Sequence, residues 1–289
     1  MILVNWLAHV LLRWPAMRRY GTAGGPFSKV HEKFTFGDDV QVDWSALAGA
    51  AADDPRARER GRRSFVLRAL DEQRSLLAFS ELLKELCEAG APIDVIGTLS
   101  RVVRDEARHV DLCGRVVDTL GGWPADAPEP TWVRSDPRTP IERRILRTVL
   151  GSLCIGETIS VAMIGGVRKH ATDPQVQSIL TTMLADESVH SRFGWWWLAQ
   201  FPLRDEDRAW ANGWLPRVFA GIEKTARPSA AQLTAAAGRP YEYGPFGAMS
   251  PTERDAAFLA AIEDHILPGL DRAGLDGTKA WNARKEAAR

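Results

Sequence analysis

Two copies of one short motif constrain this chain more than any other feature. Residues 105–109 read Asp-Glu-Ala-Arg-His and residues 186–190 read Asp-Glu-Ser-Val-His, so each is an Asp-Glu-x-x-His. On an α-helix, residues three apart lie on the same face about one turn from each other, so a Glu and a His at this spacing can hold one ion. One such motif is weak evidence, because Glu and His are common on surface helices. Two copies, each preceded by Asp, indicate two helices that direct these side chains to a shared site.

Helix start and stop signals place the two motifs within an all-α chain. Asp54-Pro55 and Asp173-Pro174 are start signals, whereas Gly90-Ala91-Pro92 and Gly121-Gly122 are stop signals. The pattern predicts four central helices: from about 55 to 88, from the 90–92 break to 120, from 140 to 170 and from 174 to 199. The motifs lie at equivalent places in the second and fourth. No segment of useful length shows the alternation of a β-strand.

Two capping boxes and a loop-rich stretch complete the prediction. Thr139 is predicted to cap the third helix, with Pro140 at its first position and Glu142 at its third. Further helices are predicted over 204–225, with Pro216 as a weak point, and from Ser250-Pro251-Thr252-Glu253 to about Pro268. The chain then divides into an N-terminal segment (1–54) that packs on the body, a four-helix bundle (55–200) and a C-terminal helical extension (201–289), in which loop 226–249 is a candidate lid.

Antiparallel helix geometry selects two further glutamates. Carboxylate-bridged two-metal bundles take a Glu-x-x-His from each of two helices and one Glu from each of the others. Residues at equal height in a helical hairpin are equidistant from its turn. Glu157 lies as many residues before Thr172 as Glu187 lies after it. In the first hairpin, Glu72 lies as many residues before Ala89 as Glu106 lies after it. Glu81 is the rival to Glu72, but its midpoint with Glu106 falls beyond the Gly90 break.

These residues form a candidate two-metal ligand set: Glu72, Glu106, His109, Glu157, Glu187 and His190. Four buried carboxylates without metal would repel one another, and two divalent cations would neutralise them. Carboxylate and imidazole ligands suit iron or manganese better than a metal that prefers thiolates. Asp105 and Asp186 are predicted to accept hydrogen bonds from the free ring N–H groups of the two histidines.

The composition limits which partners and which cellular compartment we expect for this chain. Lys plus Arg equals Asp plus Glu, so the zero formal charge removes the usual electrostatic argument for a nucleic-acid partner. Cys87, Cys113 and Cys154 form no CxxC pair, which argues against a disulfide framework and favours a cytoplasmic location. The apolar N-terminus (1–16) shows no signal-peptide pattern and is too short for a span, so we expect a helix that packs on the body, with a membrane-surface anchor as the alternative. No other stretch is predicted to cross a membrane.

The ligand pattern over residues 55–200 resembles the ferritin-like di-iron carboxylate superfamily. That superfamily includes ferritins, rubrerythrins, the radical-generating subunit of ribonucleotide reductase, bacterial monooxygenase hydroxylases, acyl-carrier-protein desaturases, tRNA hydroxylases and arylamine N-oxygenases. The resemblance implies that Glu72 and His109 hold one metal, that Glu157 and His190 hold the other, and that Glu106 and Glu187 bridge them. The implied fold is a ferritin-like four-helix bundle with additional N- and C-terminal helices.

The chain differs from three particular families of this superfamily, which reduces the number of families that it resembles. Radical-generating subunits carry a tyrosine four residues after the first ligand histidine, where this chain has Cys113, as monooxygenase hydroxylases can. Met183 stands where arylamine N-oxygenases have a third histidine, and the cysteine-rich iron site of many rubrerythrins is absent from the sequence. A tyrosyl-radical role is therefore not expected.

The resemblance implies an O2-dependent non-haem di-iron oxidase or oxygenase that acts on a small organic or carrier-bound substrate. Its cofactors would be two iron ions, or iron with manganese, with O2 as co-substrate and an external electron donor such as a reductase or ferredoxin. The alternative is a ferritin-like protein that handles iron or detoxifies peroxide without an organic substrate. A metal-free bundle that only binds a partner ranks third. The sequence leaves the oligomeric state open, with a homodimer as one option.

Overall fold

Within residues 41–129, 133 and 135–287, which the computed structural model describes, every regular element is a helix. The predicted all-α class is confirmed. In chain order the helices are α1 (Trp44–Asp53), α2 (Pro55–Glu88), α3 (Ile93–Thr119), α4 (Ile141–His170), α5 (Pro174–Gln200), α6 (Asp205–Ala226), α7 (Ala230–Ala236), α8 (251–272) and α9 (Gly277–Ala287). Helices α4 and α8 each contain a π-helical segment, Val149–Gly156 and Ala261–Ile266 respectively. The predicted packing of the N-terminal segment concerns mainly residues 1–40, which lie outside the described residues.

The ends of the long helices follow the local chemistry of the chain. Asp54 and Asp173 each accept hydrogen bonds from two backbone N–H groups of the first turn, and Pro55 and Pro174 begin α2 and α5. Gly90 ends α2 at a positive φ of 70°, where its own N–H and that of the next residue bond back to carbonyls of the last turn. These signals explain why the predicted bounds of α2 and α5 lie within a residue or so of those observed.

Other helix ends differ from the prediction. Pro140, not Thr139, occupies the N-cap of α4, in an extended conformation without a side-chain cap, so the predicted capping box does not form. The Ser250–Glu253 capping box does form, but α8 runs past Pro268 to residue 272. Pro268 lies in the first two positions of the α-helical segment that follows the π-helical one, at the place where the register changes. Helices α1, α7 and α9 were not predicted.

The core consists of two apolar layers separated by one polar layer. One apolar cluster includes Phe79, Leu99, Leu150 and Leu198, and extends into α6, α8 and α9. The other includes Phe65, Val116, Ile164 and Leu180 at the opposite end of the same four helices. The polar layer between them is formed by the six predicted ligand residues, each at most 5% exposed. Burial of both apolar layers therefore holds α2 to α5 together on either side of these charged groups.

Residues after α5 cover the outer side of α4 and the turn that joins α4 to α5. Helix α8 packs on the Glu157–His170 part of α4, and α9 packs on α6. The segment 241–249 crosses the α4–α5 turn, where Pro245 O accepts the N–H groups of Thr172 and Asp173. Phe246 is 1% exposed beside Gly61 of α2. This segment lies within the loop predicted as a candidate lid and packs against the helix ends.

Helix α4 contradicts the prediction that no described stretch is apolar and long enough to cross a membrane. Its 30 residues include a window with a mean hydropathy of 1.6, half of which is buried. The same helix carries the buried Glu157 and packs against α5. A core helix buried in this way has the same length and composition as a membrane span, so these properties alone do not place α4 in a bilayer.

Gly194 allows α5 to lie directly against the π-helical segment of α4, and this contact generates a stability prediction. A Cβ at position 194 would lie 2.7 Å from the Leu153 Cβ and 2.9 Å from its backbone carbonyl carbon, whereas a Cβ at Gly165 would meet nothing within 4 Å. Gly194→Ala is therefore expected to lower the free energy of unfolding by about 1–3 kcal/mol, the usual effect of overpacking. Gly165→Ala should be neutral or stabilising by up to about 1 kcal/mol. Urea denaturation measures both, and equal values would contradict the close approach.

Candidate metal centre

The six predicted ligands meet at one place in the polar layer, as two groups that share two members. One group contains Glu72, Glu106, His109 and Glu187, and the other Glu106, Glu157, Glu187 and His190. In each group one ligand atom per residue lies within 4.8 Å of all the others. Helices α2, α3, α4 and α5 each contribute, and Glu81 belongs to neither group. Two adjacent sites that share Glu106 and Glu187 could thus hold a pair of metal ions.

The two shared carboxylates lie between the two histidines. Glu106 Oε2 is 3.9 Å from His109 Nδ1, and its Oε1 is 3.0 Å from His190 Nδ1. Glu187 Oε1 is 3.3 Å from His109 Nδ1, and its Oε2 is 3.3 Å from His190 Nδ1. Each carboxylate therefore turns a different oxygen to each histidine, which is the arrangement required to bridge two cations. Glu72 Oε2 lies 3.4 Å from His109 Nδ1, and Glu72 belongs to only one of the two groups.

Buried polar atoms without hydrogen-bond partners test whether a metal fits. Both carboxylate oxygens of Glu106 and of Glu187, and Nδ1 of His109 and His190, are fully buried and make no contact with hydrogen-bond geometry. Buried polar atoms in proteins are nearly always hydrogen-bonded, because leaving one unsatisfied costs about 1–3 kcal/mol. Oxygen and imidazole donors directed at a common point fit divalent iron or manganese. The residues present therefore match a metal pair.

The charges of the metal-free site are balanced by protons. Burial, together with the charge of Glu187, raises the pKa of Glu106 to about 8 and that of Glu157 well above its ordinary range. Although burial disfavours its charge, Glu187 has a pKa well below the ordinary value because its close neighbours Glu157, His109 and His190 favour its ionised form. Burial also disfavours protonation of His109, yet Asp186, Glu187 and Glu72 raise its pKa. Metal binding would release these protons.

Each histidine faces the aspartate of the other motif. His109 Nε2 is hydrogen-bonded to Asp186 Oδ2 at 3.0 Å, and His190 Nε2 lies 3.6 Å from Asp105 Oδ2. Arg108 joins the two aspartates, at 2.5 Å from Asp186 and 3.3 Å from Asp105. Sequence spacing indicates the Arg108–Asp105 contact within one helix, whereas the contacts between α3 and α5 depend on how these helices pack. Arg108 was not predicted as part of the site.

A hydroxyl network adjoins the ligands of α4 and α5. Glu157 directly follows the π-helical segment, and its backbone N–H bonds five residues back to Ser152 O. Next to it, Thr158 Oγ1 donates to Cys154 O at 2.5 Å and lies 2.8 Å from Ser191 Oγ. Trp195 Nε1 donates to the same Thr158 oxygen at 3.1 Å. These bonds connect the neighbours of Glu157 and His190, and sequence reasoning did not find them.

Cys113 and Met183, the two positions at which the chain differs from particular di-iron families, lie next to each other in the core. Cys113 is fully buried, with its Sγ 3.8 Å from Met183 Sδ, and burial raises the pKa of its thiol. The described tyrosines, Tyr241 and Tyr243, lie in the segment that crosses the α4–α5 turn, while Tyr20 lies outside the described residues. The three cysteines are all free, as predicted.

Comparison of the chain with protein families, curated proteins and solved structures found no match. The functional argument therefore rests on the chemistry of the site. That chemistry consists of four buried carboxylates and two imidazoles drawn from four helices, with two aspartates behind the imidazoles.

Metal content tests the arrangement of shared and unshared ligands. Glu106→Ala and Glu187→Ala are each expected to lose both metal ions, because each carboxylate belongs to both groups. Glu72→Ala should impair loading far more than the matched Glu81→Ala on the same helix. Elemental analysis after loading with ferrous iron measures this, and full metal content in both bridging variants would contradict the assignment.

Stability of the metal-free protein should depend on pH through Glu106. Its pKa is raised in the folded protein, so folding loses stability as pH rises from about 4.5 through about 8, where the buried carboxylate ionises. Glu106→Gln removes the ionisable group and should stabilise the chelated protein at pH 9 by on the order of a few kcal/mol, with a clearly smaller gain at pH 6 and little gain near pH 4.5. Denaturation in the presence of a chelator measures both values. Destabilisation at pH 9 would mean that Glu106 is a structural residue.

Proposed function

We propose that this chain is an O2-dependent non-haem di-iron oxidase or oxygenase of the ferritin-like carboxylate type, located in the cytoplasm. The single observation that carries the proposal is that Glu106 and Glu187 each turn one oxygen toward His109 and the other toward His190. Residues 55–200 would be the ferritin-like bundle and residues 201–289 its helical extension. Two iron ions, or iron with manganese, would when bound supply the electrons that reduce O2, and an external reductase or ferredoxin would replace them.

The protein's own residues would have distinct tasks in this reaction. Glu72 and His109 would hold one metal, Glu157 and His190 the other, and Glu106 and Glu187 would bridge them. Asp186 Oδ2 lies 3.0 Å from His109 Nε2, so it would orient the His109 ring and hold the proton on Nε2 while Nδ1 faces the metal. The apolar layers on either side exclude water, which protects an oxidising site from side reactions.

The surroundings of the cluster favour an organic substrate over a tyrosyl radical. Among the described residues on α2 to α5 there is no tyrosine, and Cys113 stands one turn after His109. A buried thiol with a raised pKa stays protonated and is a poor nucleophile. Oxidising equivalents formed at the site would then be used on a small organic or carrier-bound molecule.

O2 consumption tests the proposed reaction against iron handling. Iron-loaded protein with O2, a chemical reductant and candidate organic substrates should consume O2 faster when the true substrate is present, and mass spectrometry should detect the oxidised product. Glu106→Ala, which is expected to lose both metals, is the control. Oxidation of many ferrous ions per chain to a ferric mineral, at a rate that no organic molecule changes, would favour the ferritin-like alternative.

A further inference from the structure

The residues that directly follow Glu157 and His190 are hydrogen-bonded to each other. Thr158 comes after Glu157 on α4, and Ser191 comes after His190 on α5. Their hydroxyl oxygens lie 2.8 Å apart, and both residues are buried. Glu157 and His190 are the two ligands that belong to only one of the two metal groups, the one that they share. This hydroxyl bond therefore fixes the separation of α4 and α5 one residue away from both ligands.

The hydrogen bonds around Thr158 fix the direction of the hydroxyl bond. Thr158 Oγ1 lies 2.5 Å from Cys154 O, which can only accept, and 3.1 Å from Trp195 Nε1, which can only donate. A hydroxyl group has one proton and two lone pairs, so Thr158 donates to Cys154 O and accepts from both Trp195 and Ser191. Every bonding position of the Thr158 oxygen is thus used, and its side chain is held in one orientation.

The indole of Trp195 is held in turn by the C-terminal extension. A Cβ at Gly269 of α8 would lie 2.6 Å from two of the indole carbons, Cη2 and Cζ3. The ring therefore lies directly against the backbone of α8, while its Nε1 donates to Thr158 on α4. Because the ring is confined between these two helices, α8 supports the hydrogen bonds that surround the Thr158 oxygen.

The other half of the metal centre is supported in a different way. Val110 follows His109, and its side chain has no polar atom, so no equivalent of the hydroxyl bond can form there. The His109 ring is instead hydrogen-bonded to Asp186, at 3.0 Å. The Nε2 of His190 lies 3.6 Å from the facing aspartate and makes no hydrogen bond within the described part of the chain. The His190 half thus depends on the hydroxyl bond, whereas the His109 half depends on its ring contact.

We propose that Thr158 and Ser191 are positioning residues for the Glu157–His190 half of the metal centre, so that loss of their bond weakens the binding of one metal ion and not of the other. The proposal rests on the metal centre of the function proposed above, but not on its reaction with O2. Ligands that are held in place before an ion arrives bind it more tightly, because less ordering remains to be done. Removing bonds outside the ligand set typically lowers metal affinity by about 10–100-fold.

Calorimetric titration of the metal-free protein with Co2+ tests the proposal, since this divalent ion accepts carboxylate and imidazole ligands. Thr158→Val keeps the branched side chain without its hydroxyl and should weaken the binding of one of two ions roughly tenfold. Ser191→Ala removes the other hydroxyl and should have the same effect. Thr158→Ser retains the hydroxyl and should restore the affinity, which would not happen if Thr158 mattered only for packing.

Two ligand variants identify which ion is weakened. In Glu72→Ala the remaining ion would be held by the Glu157–His190 half, so adding Thr158→Val should weaken its binding roughly tenfold. In Glu157→Ala the remaining ion would be held by the His109 half, and adding Thr158→Val should leave its binding unchanged. Equal weakening in both backgrounds would overturn the proposal, because a general disturbance of the core would act on both halves.

Ser188→Ala on α5 is the matched control. Ser188 directly follows the ligand Glu187, but its hydroxyl donates within its own helix, to Leu184 O at 2.7 Å. Its removal should leave the binding of both ions unchanged, and a loss equal to that in Ser191→Ala would contradict the proposal. Unchanged binding of two ions by Thr158→Val would refute the positioning role and leave the metal centre intact. If the wild-type protein binds no Co2+, the metal centre and the positioning role are both wrong.

Discussion

The mutual repulsion of four carboxylates in one buried layer is the constraint on which the rest of this structure depends. Glu72, Glu106, Glu157 and Glu187 occupy the middle of the core at no more than 5% exposure. Such a layer is stable only if protons or metal cations offset the charge, and if apolar packing on both sides keeps the helices together. The two hydrophobic clusters supply that packing, one toward each end of the four helices.

Control of the ligand positions extends beyond the ligands. On the far side of the imidazoles, Asp105 of α3 faces His190 of α5, and Asp186 of α5 faces His109 of α3. Arg108 donates hydrogen bonds to both aspartates. Beside Glu157, the π-helical segment changes the register of α4 at the point where Gly194 lets α5 approach its backbone. A π-helical turn gives up the regular register of the helix and is frequent at functional sites. The aspartate contacts and the π-helical segment both affect how the ligand side chains are oriented. That orientation determines whether the carboxylates could bridge two cations.

The residues after 200 support the helices that carry the ligands. Helix α8 packs on the Glu157–His170 part of α4. The segment 241–249 packs against α2 and the end of α4, where Phe246 and Gly247 contact Gly61 and Val167. These contacts come from parts of the chain that carry none of the six ligand residues.

The amino-acid sequence by itself determined the all-α class, the bounds of α2 and α5, and the residues that gather in the cluster. The physical reason is that caps, glycine stops and hairpin symmetry act locally, so they can be read along the chain. It did not reveal that each histidine faces the aspartate of the other motif, nor the Arg108 contact with Asp186, nor the π-helical segments. Each of these depends on which helix faces close on one another. Only the tertiary structure decides that, because side-chain contacts between helices follow from the packing of whole faces rather than from spacing within one helix.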